Sequence, residues 1–120
     1  MQNISPKMQN QINMLQQMQQ QMQAILSQKN QYELAAQEAR RAVEELNDAE
    51  DSAVVYMSVG TVVMQKPRAD VIGKVTEKIE MLEIRIRSIE KQEKMLQEKF
   101  EKLQQQVRQE MEGRTTPEAA

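Results

Sequence analysis

Ala53-Val54-Val55-Tyr56-Met57-Ser58-Val59-Gly60-Thr61-Val62-Val63-Met64-Gln65 is the stretch on which the fold turns. It holds no charged residue and is rich in valine, with tyrosine, threonine and methionine, which is the composition of strands rather than of helix. Gly60-Thr61 at its centre suits a two-residue hairpin turn, because glycine accepts positive φ at the first central position. Residues 53–65 therefore read as a β-hairpin, which sends the chain back the way it came. A plain apolar loop is the alternative, but valine-rich alternation is foreign to loops.

Outward from the hairpin, both flanks carry a seam of apolar residues at alternating spacings of three and four. Upstream the a positions are Met8, Leu15, Met22, Lys29, Ala36 and Val43, and the d positions Met18, Ile25, Tyr32, Ala39 and Leu46. Downstream they are Ile72, Ile79, Ile86, Glu93, Phe100 and Val107, with Val75, Leu82, Ile89, Leu96 and Leu103. Such a repeat marks a helix that buries one stripe against another helix. Folding the chain back about its middle pairs Leu46 with Val75, Ala39 with Leu82, Ile25 with Leu96 and Leu15 with Val107. The paired numbers keep the same total to within one along the whole seam. The polar step stays in register too, because Lys29 falls opposite Glu93. These two form either a register-setting polar layer or a pair that snorkels to the surface. The expected fold class is mainly α with a small β-hairpin: two long helices in an intramolecular antiparallel coiled coil.

The expected boundaries follow. Residues 1–6 are a flexible start, with Ser5-Pro6 suited to open a helix. Helix one covers 7–46, and Asn47 to Ser52 breaks its period as a loop. Helix two covers 68–112, with Pro67 and Asp70 both qualifying as its start signal, and Gly113 as its stop. Residues 113–120 are a flexible tail.

Composition excludes whole classes of function. The 120 residues include no Cys, His or Trp, and only three aromatic residues, so no thick globular core is available. Without Cys or His there is no thiolate nucleophile, no Ser-His pair and no ordinary zinc set. Gly60, Gly73 and Gly113 are isolated and form no phosphate loop. Glu77, Glu80 and Glu83 recur at helical spacing beside basic residues, which describes a solvated ion-paired face. No enzyme, cofactor or metal is therefore expected.

Charge narrows the partners. Lys7, Lys29, Arg40 and Arg41 balance Glu33, Glu38, Glu44 and Glu45 in the first helix, and the second helix is balanced as well. Only the middle is acidic, through Asp48, Glu50, Asp51 and Asp70 against Lys66 and Arg68. Nothing offers the one-signed basic face that nucleic acid selects. No apolar run is long enough to span a bilayer, and the start lacks the features of a signal peptide. The expected location is cytoplasmic. The face of residues 8–26 is apolar, but its polar side carries Gln where membrane-surface helices carry Lys and Arg.

Two strands alone are marginal in water. The apolar set Val54, Val55, Tyr56, Val59, Val62, Val63 and Met64 should therefore pair with like hairpins in an oligomeric sheet or barrel. Helix, Val55-Tyr56-x-x-Val59-Gly60-x-Val62-Val63 hairpin, then helix, across nearly the whole chain, resembles the prefoldin β subunits of archaeal type. The resemblance implies an ATP-independent holdase, a heterohexamer of two α and four β subunits. Their hairpins would join into a barrel platform, and their coiled-coil tips would hold unfolded clients for a group II chaperonin. An α-type subunit carries two hairpins, and this chain has room for one.

The residues support client binding at the tip from their own side. The first 31 residues alternate many Gln with Met, and Met suits differently shaped apolar partners. Met8 falls opposite Arg114, past the expected stop at Gly113, so the first helix should outrun its partner. Ile4, Met8, Ile12, Met14, Val107 and Met111 would then form a half-paired apolar tip, with Leu15 and Met18 behind them. Core packing is the plainer role for Met18 and Met22. A coiled-coil scaffold whose hairpin docks one defined partner is the alternative function.

Overall fold

A computed structural model describes residues 4–115, with side chains as far as residue 113. In order the chain forms helix α1 (Pro6–Asp48), strands β1 (Tyr56–Val59) and β2 (Val62–Gln65), and helix α2 (Arg68–Thr115). Ser5 caps α1: its Oγ accepts from the Met8 N–H at 3.0 Å, and its carbonyl from the Gln9 N–H at 2.9 Å. Pro6 takes the first helical position, where its missing N–H costs nothing. At α2 the Pro67 carbonyl accepts from the Asp70 and Val71 amides, so Pro67 is the cap and Arg68 the first helical residue. Asp70 lies in the first turn, where a carboxylate meets the positive end of the helix dipole.

The helices overrun their expected ends. α1 continues through Asn47 and Asp48, and the Ala49 amide still donates to the Glu45 carbonyl at 3.1 Å. α2 passes straight through Gly113, which does not take positive φ. Glycine commonly stops a helix by turning left-handed at its C-terminus, which Gly113 does not do. The hairpin strands are shorter than the apolar stretch. Ala53 donates to the Glu50 carbonyl at 2.9 Å in a turn that precedes β1, which starts at Tyr56. Of the expected loose ends, residues 1–3 and 116–120 lie outside the described residues, whereas Ser5-Pro6 and Gly113–Thr115 take part in helices.

The chain divides into two compact units. One is Lys29–Ser88, which holds the hairpin, the end of α1 and the start of α2. There Arg40 Nη2 lies 2.9 Å from Glu83 Oε2, one position past the d residues Ala39 and Leu82. That is where flanking charges meet across an antiparallel seam. Ala36, Ala39, Val71 and Leu82 are buried in this unit. The other is Met1–Gln28 with Ile89–Ala120. Lys7 Nζ near the start of α1 sits 3.5 Å from Glu110 Oε1 near the end of α2, so these segments also run antiparallel. Met8, Ile89 and Val107 are buried here. Every a and d position named from the sequence is buried or half-buried, including Lys29 and Glu93. No helix among the described residues is long and apolar enough to cross a membrane.

Candidate functional site

The hairpin is built by its turn. Gly60 has φ of 60° and no other described residue has positive φ, so only the first central position of the turn is left-handed, as a type II′ turn requires. Val59 pairs with Val62, Ser58 with Val63, Met57 with Met64 and Tyr56 with Gln65. The ladder runs one step further, because the Lys66 amide donates to the Val55 carbonyl at 2.9 Å. Directly opposite residues share a face, so Met57, Val59, Val62 and Met64 make one wholly apolar face. Tyr56, Ser58, Val63 and Gln65 make the mixed one.

Antiparallel pairs alternate between hydrogen-bonded and open. With Val55 and Lys66 bonded, the backbone groups of Tyr56, Ser58, Val63 and Gln65 point outward along the two sheet edges. Val54, Tyr56, Val59, Val62, Val63 and Met64 are all exposed, Val63 at 65%. Val55 and Met57 are half-buried, and Met57 shares a groove with Ala69 and Gly73 of α2. Apolar side chains and open edges thus coincide on one small sheet, the combination that draws in further strands.

At the far ends of the helices, the expected tip residues separate into two sets. Ile4, Met14 and Met111 are exposed, Met111 at 53%. Met8 and Val107 are closed in the seam, at 2% and 8%, and Lys7 beside Met8 reaches Glu110, so α2 accompanies the first turn of α1. Ile12, Leu15 and Met18 are half-buried. Leu15, Val107 and Met111 line one groove, edged by Gln104, Arg108 and Glu112. Behind Met8, the d position is Gln11, whose Oε1 is buried with no hydrogen-bond partner. Such an orphan costs about 1–3 kcal/mol.

Arg68 is the structural residue that sequence reasoning passed over. Its Nη1 donates to the carbonyls of Leu46, at 3.1 Å, and Ala49, and its Nη2 to Asp51 Oδ1 at 2.8 Å. These carbonyls close α1, where backbone acceptors have no helical donor. Val71, one turn further on the same face, is buried although it lies beside the expected seam. No cluster of His, Cys, Asp or Glu among the described residues is arranged to hold a metal ion.

Comparison with known proteins agrees with this geometry. The sequence profile described as prefoldin subunit matches residues 9–114. The prefoldin subunit beta of Methanospirillum hungatei is 84% identical over 119 residues, 99% of each chain. That of Methanoculleus marisnigri is 56% identical over 117 residues, 98% of this chain and 97% of the relative. The crystal structure of the prefoldin beta subunit from Thermococcus strain KS-1 superposes with a TM-score of 0.84. It is 38% identical, covering 91% of this chain and 96% of that one.

Proposed function

The chain belongs to the prefoldin family as a β subunit, and from that membership we propose that it works in an ATP-independent holdase of two α and four β subunits. The observation that carries assembly is the exposed hairpin: an apolar face and two open strand edges on a sheet too small to stand alone. Joined to like hairpins in a barrel, the sheet loses its edges and its apolar face enters an interior. The helices would then serve as arms. Their free ends capture non-native polypeptides and pass them to a group II chaperonin in the cytoplasm.

Binding rather than catalysis is the chemistry on offer. Ile4, Met14 and Met111 present adaptable apolar contacts, each weak. Several arms around one client convert weak contacts into useful avidity without a shape-specific pocket. The test is aggregation of unrelated proteins diluted from urea, with and without the complex formed by this chain and an α-type subunit. Suppression is expected at near-stoichiometric complex, with no ATP, for clients that share no sequence. Suppression of none, with tight binding of one folded protein, would favour a scaffold that docks a defined partner.

A further inference from the structure

Gln11 interrupts the apolar seam of the Met1–Gln28 and Ile89–Ala120 unit at a d position, between Met8 and Leu15. Its Oε1 is the one buried side-chain oxygen or nitrogen without a hydrogen-bond partner among the described residues. A buried acceptor that no protein donor reaches favours whichever state opens it to solvent. Closing this end therefore sets the burial of Met8 and Val107 against the dehydration of Gln11. The ion pair across the same end, Lys7 with Glu110, is a weak latch, since Lys7 is 74% exposed and the separation is 3.5 Å. Parted from α2, the first turns of α1 keep only the Ser5 cap and lose their packing, so opening also loosens their backbone hydrogen bonds.

The geometry points to Gln11 as the residue that sets an opening equilibrium at this end. In the closed state Met8 and Val107 are buried; in the open state Gln11 is wet and Met8, Leu15 and Val107 face solvent. The functional meaning rests on the reading above that non-native chains bind at this end. A client that binds the open form more tightly draws the population toward it, and its apparent affinity scales with the open fraction. The closed seam also keeps these side chains from sticking to one another when no client is present.

The test is Gln11→Leu in the assembled complex, read by amide hydrogen exchange in peptides covering residues 5–18 and 103–113. Gln16→Leu, on the exposed side of α1, controls for added hydrophobicity. Exchange in Gln11→Leu should slow about tenfold in both peptides, equivalent to about 1.4 kcal/mol, with residues 29–88 unaffected. Capture of urea-unfolded, reduced lysozyme should fall in step, and Gln16→Leu should change neither. Unchanged exchange in Gln11→Leu, or equal slowing in Gln16→Leu, would overturn the inference. Slower exchange with undiminished capture would uphold the opening equilibrium and instead remove this end as the client site.

Discussion

Arg68, the first residue of α2, donates from Nη1 to the backbone carbonyl of Leu46 in the last turns of α1, at 3.1 Å. The residue that begins the returning helix thereby closes the departing one, directly beneath the hairpin. A cation at a helix C-terminus also meets the negative end of its dipole. Arg68 thus ties the end of α1 to the start of α2 at the junction that presents the sheet.

Arg68→Met should remove this cap while keeping the aliphatic stem, at a cost of about 1–3 kcal/mol for the orphaned carbonyls. The check is thermal unfolding followed by circular dichroism, where the midpoint should drop by several degrees. Arg68→Lys should recover only part of the loss, because a single ammonium cannot reach the Leu46 and Ala49 carbonyls and Asp51 together. Asp51→Asn should change the midpoint little, since that carboxylate is 99% exposed.

Val59→Asp or Val62→Asp should abolish assembly and leave the helices folded. Both residues are exposed in the single chain and share the apolar face of the hairpin. Helix content by circular dichroism should stay within error of the parent while size-exclusion chromatography shows loss of the large species. An intact complex would refute the platform.

Gly60→Val should weaken the hairpin. The position is left-handed, and a β-branched residue there costs about 1–2 kcal/mol. The open space around Gly60 means that the penalty is conformational and not a clash. Assembly should then require a higher subunit concentration, read from the midpoint of a dilution series.

Met14→Gln combined with Met111→Gln should lower client holding by a factor of about five while leaving assembly unchanged, the scale for losing two of several avidity contacts. These two are suitable because both are exposed, so their exchange leaves the seam intact. Met8→Gln tests something different, since it places a polar group in a buried site and loosens the end as a whole. Suppression of aggregation by the double variant equal to the parent would place client contacts elsewhere.

Much of the fold was legible because a two-helix seam is written locally. The three-four spacing of Met18, Met22 and Ile25, or of Leu82, Ile86 and Ile89, states which side of a helix needs cover, and all of these residues are covered. Gly60-Thr61 announced its turn for an equally local reason: only one residue type takes that backbone angle easily. What escaped were features that depend on a partner distant in sequence. Arg68 lies beyond the hairpin from the carbonyls it closes, and nothing in residues 66–70 alone says that the end of α1 is within reach.

Gly113 misled for the opposite reason, since glycine stops a helix most readily by turning left-handed, and here α2 continues through it with ordinary φ. Met8 is closed into the seam, and Ile4, Met14 and Met111 are the exposed part of the expected tip. Gln11 was hidden by its surroundings, one glutamine in a segment full of them. Its heptad position was the available signal, because d is where a polar residue has consequences.

The most direct measurement is the native mass of the complex that the chain forms with an α-type subunit. A six-subunit particle containing four copies of this chain is expected, and it should dissociate into smaller species when Val62→Asp is introduced. A stable monomer or homodimer, or a particle of unchanged mass in the presence of that substitution, would contradict it.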